Sequence, residues 1–373
     1  MSRPPIEREK LMRQAFPTAN AVAQVGVEVL SVATAAPAHV ITQDDAAWRA
    51  QKIFPQYARL EALYTNTGID TRYAVEPVTW YLSEHSWEER TAIYQRNALD
   101  LLEQVSLQSI EEAGLAPPDI DAIVTNTITG LSIPSLEARL MNRVAFRPTL
   151  ERLPIFGLGC GGGVGGLARA TRMAQAKPGA NVLFLTVDLC SLCSRVNDPS
   201  LAMFVSAALF GDGAAGVVLR SDDGSTGGRA AARCRVGPQG EYFWSETEHI
   251  MGWDIKNDGF GVVLSPDLPT LMRERLGDAL FPFLQREGLS LKDFDGFLLH
   301  PGGRKVLETA EESLELTRDQ TRYSWQVLKE FGNMSSATAL FVLKAALADG
   351  AHGRYLLAAF GPGFSAYFIV VEL

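Results

Sequence analysis

Cysteine and histidine are scarce, with four and five copies among 373 residues. Four cysteines (Cys160, Cys190, Cys193, Cys234) cannot staple a chain of this length, and they fit a reducing cytoplasm. Cys190 and Cys193 form a C-x-x-C, but no second pair or histidine cluster joins them, so no metal site is expected. The thioredoxin-like setting that a redox pair needs is missing as well. Basic residues are outnumbered, 34 Lys and Arg against 43 Asp and Glu, giving a net charge of −9. Nucleic acid, whose phosphates call for a basic surface, is therefore excluded as the main partner. Long apolar runs are lacking too. The most apolar stretch, Tyr355 to Val371, is broken by Gly361, Pro362, Gly363 and Ser365, so no membrane span is expected. Ser2 to Arg13 mixes Arg, Glu, Lys and Pro without the apolar centre of a signal peptide, and a loose arm or capping helix is expected there.

What remains is the balance of a soluble globular protein, 47% hydrophobic and 21% charged. The length fits about two domains or one duplicated fold, and the chain does repeat itself. Glu111-Glu112-Ala113-Gly114-Leu115, followed by Asp119-Ile120-Asp121 and an apolar run, recurs as Gln285-Arg286-Glu287-Gly288-Leu289 with Asp293-Phe294-Asp295. Each copy reads as a helix stopped at Gly-Leu, an Asp-apolar-Asp turn, then a buried strand. Cys160 and Asn333 make a second pair, each at the start of a small-residue helix. Phe210 to Leu219 and Phe360 to Ile369 make a third. Three matches in the same order favour duplication over chance recurrence of glycine turns. Each half alternates strand and helix, the pattern of an α/β fold. The polar, Gly-rich stretch Ser221 to Gly228 marks the join, giving halves at 1–222 and 223–373.

Cys160 lies in the glycine-framed run 156–163, where an apolar stretch meets a helix. The positive end of a helix dipole favours thiolate, and flanking glycines leave room for a bulky substrate to approach sulfur. Under duplication His300, ending a second-half strand, and Asn333 converge on that cysteine. A thiol with a histidine and a third polar group is the arrangement of an activated nucleophile. The amide of Asn333 cannot act as acid or base but can donate to a developing oxyanion or enolate. This set suits acyl transfer to sulfur followed by decarboxylative carbon–carbon bond formation. Gly161, Gly163 and Gly166 with Asp188 downstream also satisfy a dinucleotide-loop pattern, although a lone match of that kind is weak.

The motifs Gly-Cys-Gly-Gly at 159–162, Leu209 to Ala215, His300-Pro301-Gly302-Gly303, Gly332 to Ala337 and Phe360 to Gly363 together resemble the type III polyketide synthases. These are the chalcone synthase-like branch of the thiolase superfamily. The resemblance implies a duplicated, five-layered α-β-α-β-α thiolase-like fold, a homodimer, and acyl-CoA and malonyl-CoA as direct substrates, with no cofactor and no metal. It gives Cys160 the starter and growing chain, and His300 and Asn333 the thioester oxyanion and the enolate. It makes Phe210 a gatekeeper between the CoA tunnel and the cavity. Ile128, Thr129, Cys190, Cys193 and Ser335 become cavity-lining residues, and Ile133 crosses into the neighbouring subunit's cavity. Phe360, Gly361 and Pro362 shape the cavity floor.

Two positions depart from the plant enzymes of this family: Val262 stands near a second aromatic gatekeeper, and Trp253 where they have glycine. The run Asp188 to Cys193 is more similar to bacterial alkylresorcinol and alkylpyrone synthases, which favours an acyl-CoA starter, a fatty one included. Arg304 and Lys305, and more weakly Arg59, are candidates for the CoA phosphates, with a solvated basic pair as the plain alternative. A single-condensation 3-ketoacyl synthase and a non-catalytic acyl-CoA-binding homologue stay open as rival functions.

Overall fold

Strands packed between layers of helices must be apolar on both faces. Asn181–Leu189 and Asp212–Ser221 meet that requirement, as do Arg354–Gly361 and Ser365–Glu372, each buried along nearly its whole length. The computed structural model describes residues 25–60, 62–222, 224 and 232–373. The expected N-terminal arm lies outside the described residues, and most of the expected join does too.

In chain order the strands are β1 (Val27–Ala35), β2 (His39–Thr42), β3 (Thr71–Ala74), β4 (Ala122–Thr127), β5 (Glu151–Phe156), β6 (Asn181–Leu189) and β7 (Asp212–Ser221). They continue as β8 (Cys234–Phe243), β9 (Met251–Lys256), β10 (Gly259–Leu264), β11 (Gly296–Leu299), β12 (Arg354–Gly361) and β13 (Ser365–Glu372). The helices used below are α1 (Gln43–Ile53), α2 (Trp87–Glu112), α3 (Gly162–Ala176), α4 (Leu201–Leu209), α5 (Leu268–Arg286), α6 (Arg304–Leu314), α7 (Arg322–Phe331) and α8 (Thr338–Ala348).

Nine strands form one sheet in the order β11-β12-β13-β8-β1-β7-β6-β4-β5. The first four and last five belong to the two halves of the chain. They meet where β1 pairs with β8 through only Val27–Val236, Glu28–Arg235 and Val29–Cys234. Three hydrophobic cores turn this sheet into layers. One joins Leu102 and Val105 of α2 to Leu30, Leu183 and Val218 on the first half-sheet. A second buries α3 and α8 between both half-sheets, with Val164, Leu167, Leu340 and Leu343 against Val124, Phe184, Leu357 and Ile369. The third packs Leu276 and Leu280 of α5 and Leu307 of α6 on Phe297, Leu356 and Phe368. The result is the helix–sheet–helix–sheet–helix layering expected from sequence. The two sheets are continuous at the β1–β8 seam because each half leaves one edge strand there to be paired. A leucine of the middle layer has neighbours on every side, and truncating one to alanine costs about 2–5 kcal/mol.

The repeat is visible in hydrogen bonds. Gly114 and Gly288 take φ of 68° and 67°, stopping α2 and α5 in the same left-handed turn. Leu115 N then donates to Ile110 O at 3.0 Å, and Leu289 N to Leu284 O at 2.9 Å. Asp119 accepts from Ala116 N at 2.8 Å and Asp293 from Ser290 N at 2.7 Å. One turn later Asp121 accepts from Asn181 N at 2.9 Å, and Asp295 from Arg354 N at 2.8 Å.

Candidate active site

Cys160 occupies a tight turn, Gly159–Gly161, between β5 and α3. Two influences act on its thiol in opposite directions. The start of α3 favours the thiolate, as do hydrogen bonds from Ser335 and Asn333, but burial prevails and pushes the thiol up to about 12. His300, at the end of β11, is 3% exposed, and neither ring nitrogen has a hydrogen-bond partner. Its backbone is fixed by donation to Ala358 O at 2.8 Å, while burial alone pulls the imidazole down to about 3. Burial thus favours the neutral thiol and the neutral imidazole over the ion pair that the helix dipole promotes. Among the described residues no carboxylate bonds to the ring, and packing orients it.

Asn333 is held most firmly. Its N–H donates to Leu209 O and its carbonyl accepts from Gly211 N, both at 2.9 Å, in a parallel bridge to Phe210. The side-chain Oδ1 accepts from Ser335 N at 2.8 Å, and Nδ2 donates to Gly302 O at 3.0 Å. That orientation leaves the second hydrogen of the amide for the Cys160 sulfur, beside which a developing oxygen can take it over.

Cys160, His300 and Asn333 line one cavity of about 570 Å³, whose apolar walls include Leu209, Met272 and Phe360. A neighbouring cavity of about 430 Å³ also contains Cys160, together with Ile128, Cys190, Trp253, Val262, Ser335 and Pro362. Phe210 lines both, so the sulfur and this ring stand where the two spaces meet. Trp253 and Val262 face each other across the β9–β10 ribbon.

The remaining candidates are spread more widely. Thr129 and Cys193 line a different, smaller space, because the Thr129 hydroxyl is taken up by Leu189 N at 2.8 Å and Asp188 at 3.3 Å. Ile133 is 92% exposed and is not among the residues lining these cavities. Gly361 carries no wall; a Cβ there would meet Leu158 O at 2.4 Å. Arg304 and Lys305 line the mouth of the larger cavity, both within reach of Glu308 at 2.6 and 3.4 Å, so their charge is partly compensated. Arg59 is exposed at the end of the turn Pro55–Leu60 and is not among the residues lining these cavities.

The glycines around Cys160 need a correction. Gly157 does face open space beside the second cavity, but at Gly159, Gly163 and Gly166 protein fills the room that an acyl chain or a dinucleotide phosphate would need. A Cβ at Gly163 would lie 2.1 Å from Ser336 O, one at Gly166 2.5 Å from the Phe184 ring, and one at Gly159 2.5 Å from Pro362. They allow the α3 start to touch its counterpart before α8 and the loop after β12. Asp188, which completes the dinucleotide-like pattern in sequence, has another use. Fully buried, it accepts from Ile128 N at 2.8 Å and Ser336 N at 3.0 Å, tying the end of β6 to the turn behind Asn333. The signal for it is one carboxylate in an otherwise apolar strand. Arg72, also buried, has no such signal, and buried Arg49 has only a faint one.

Comparison with known proteins agrees across the chain. The family model for chalcone and stilbene synthases, N-terminal domain, matches residues 17–223, and that for the C-terminal domain matches residues 239–372. A 1,3,6,8-tetrahydroxynaphthalene synthase of Streptomyces peucetius is 37% identical over 93% of this chain and 93% of the relative. A phloroglucinol synthase of Pseudomonas fluorescens is 32% identical over 90% of this chain and 96% of its own length. Among solved structures, the 1,3,6,8-tetrahydroxynaphthalene synthase of Streptomyces coelicolor superposes with a TM-score of 0.86 at 31% identity, covering 92% of this chain and 99% of that one.

Proposed function

The chain belongs to the chalcone and stilbene synthase family, that of the type III polyketide synthases, and we propose how its own residues carry out iterative acyl transfer. The observation that carries the reading is the single cavity in which Cys160 faces a histidine with two unpartnered ring nitrogens and an amide that donates toward the sulfur.

In the first step the Cys160 sulfur attacks the carbonyl carbon of an acyl-CoA while His300 takes the thiol proton. The tetrahedral oxyanion is met by the Asn333 N–H, CoA leaves as its thiol with the proton from His300, and the acyl group remains on sulfur. In the second, malonyl-CoA loses carbon dioxide, and the electron pair of the broken bond stays behind as an enolate whose oxygen lies against His300 and Asn333. The enolate carbon attacks the acyl thioester and expels the Cys160 thiolate, giving a 3-ketoacyl-CoA that can reload; the thiolate takes up a proton from solvent to restore the thiol. Burial favours the neutral imidazole before substrate binds, and the imidazolium formed in the first step is offset by the oxyanion that forms beside it.

Repeated extension is favoured over one condensation because the second cavity beside Cys160 has room for a growing chain. Cyclisation to a pyrone or a resorcinol- or phloroglucinol-type ring completes the reading, in keeping with the names of the relatives. Arg304 and Lys305 are assigned to CoA at the mouth. The reading includes halves divided at 222 and 223, no cofactor or metal beyond the CoA substrates, and the cytoplasm as the site of action. Four free, buried cysteines fit that compartment. A homodimer is proposed because Ile133 presents a fully apolar side chain to the outside. Among the described residues no helix is long and apolar enough to cross a membrane.

The test is incubation with acyl-CoA starters and malonyl-CoA, read by mass spectrometry. Cyclised products of two or more extensions are expected. Release of only single-condensation 3-ketoacyl products would overturn the iterative reading.

A further inference from the structure

Behind the wall made by Cys190, Phe210, Trp253 and Val262 lies another cavity, of about 50 Å³. Two arginines line it. Arg49 comes from α1 and is 6% exposed; Arg72 comes from β3 and is 3% exposed. Arg49 donates from Nε to Tyr81 O at 3.0 Å and from Nη2 to Ser194 Oγ at 2.6 Å. Arg72 donates from Nη1 to Ala207 O at 2.9 Å and from Nη2 to Gln43 Oε1, while its Nε is buried with no partner. Neither forms an ion pair among the described residues, although buried charges are ordinarily paired. Asp212, bonded to Ser191 of the lining, is already taken up by Ser191 N at 2.7 Å and Val75 N at 3.0 Å. Tyr81, which also lines the space, is held in its neutral form by burial. Two positive groups, an orphan N–H and no negative partner therefore surround one small space.

We propose that this cavity is a carboxylate-binding site, with Arg49 and Arg72 as its ligands. A guanidinium presents paired N–H donors that match a carboxylate, and Arg72 has one donor unused. The space is several times the roughly 10–15 Å³ that one water needs, and it admits a carboxylate with a carbon or two but not a ring. The carboxylate has two available sources. One is a free small organic acid. The other is the far end of a dicarboxylic acyl group on Cys160, passing Cys190, which lines both this cavity and the one containing Cys160. The second source rests on the acyl-transfer reading above; the first does not.

The experiment has two arms on the full-length protein. In the first, the ¹⁹F line of trifluoroacetate is followed at constant ionic strength. Broadening that excess acetate relieves is expected in the wild type, to be lost in Arg49→Met and weakened about tenfold in Arg49→Lys, which keeps the charge but not the fork. In the second arm, kcat/KM is compared between ω-carboxyacyl-CoA starters and neutral starters of equal length. A wild-type preference of about tenfold or more for the carboxylate, falling to near unity in Arg49→Met, assigns the site to the acyl chain. Broadening without that preference assigns it to a free acid. Because the first arm needs no turnover, it stands or falls independently of the chemistry at Cys160. Broadening that persists in both variants, or its absence together with no starter preference, would overturn the proposal. An equal loss for both classes of starter with unchanged broadening would overturn it too, showing a packing role for Arg49.

Discussion

The turn at Cys160 and the turn at Asn333 occupy matching places, each at the head of a central helix, yet they are built differently. The first is glycine, with backbone and side chains from other elements pressed against it. The second is polar: Asn333, Ser335, Ser336 and Thr338 bond to one another and to Asp188, and Ser335 adopts φ of 52°. One copy was stripped down to bring a sulfur to the surface of a cavity. The other was braced to hold an amide in a single orientation. Duplication supplied two equivalent positions, and the chemistry divided between them: a reacting atom on one side, a fixed donor on the other.

That contrast can be broken at its reactive end first. Cys160→Ala removes the attachment point, and product formation should fall by about 10⁴-fold or more, with no acyl adduct in intact-protein mass spectra. Activity equal to wild type would refute covalent catalysis. At the braced end, Asn333→Ala should lower malonyl-CoA decarboxylation by about 10²–10³-fold, the usual cost of one oxyanion donor. Acylation of Cys160 in a single turnover should fall as well, since the same N–H meets its oxyanion; an unchanged acylation rate would show that the amide serves the enolate alone.

The contact between the turns comes next. Gly163→Ala forces a methyl group toward Ser336 O and should destabilise the fold by about 1–3 kcal/mol, read as a lowered midpoint in urea. An unchanged midpoint would mean that the turns can part without cost. The smallest effect concerns protons. With the resting thiol raised to about 12, alkylation of Cys160 by iodoacetamide should climb about tenfold per pH unit between about 7 and 9, without a plateau. A plateau near neutrality would show a resting thiolate. The same shift has a sign for stability. A folded pKa above the unfolded one contributes stability below the ordinary thiol range, lost as pH rises toward 12. His300, depressed to about 3, contributes stability above the ordinary imidazole value that is lost as pH falls toward 3.

The chemistry-bearing residues were legible because each sits in a short motif at the end of an element, where local sequence and function coincide. The duplicated helix stops were legible for the same reason: Gly-Leu and the two aspartates act within a few residues of themselves. What escaped acts over long distances. The glycines near Cys160 read as open space because their neighbours, Ser336 and Pro362, come from the other half of the chain. Thr129 read as a wall residue because nothing in its segment reveals that Asp188 and Leu189 claim its hydroxyl. Arg49 left only a faint mark. It shares a helical face with Ala46 and Ala50, both buried, a position where a charge is out of place.

The ribbon of β9 and β10 has a further consequence. It walls the second cavity with Trp253 and Val262 but pairs only with itself, contributing no rung to the nine-stranded sheet. Its side chains can therefore be exchanged for larger or smaller ones with little effect on the framework that aligns sulfur, imidazole and amide. Natural variation confined to this replaceable panel would alter how long a chain grows and how it folds on itself, while the engine beneath stayed the same.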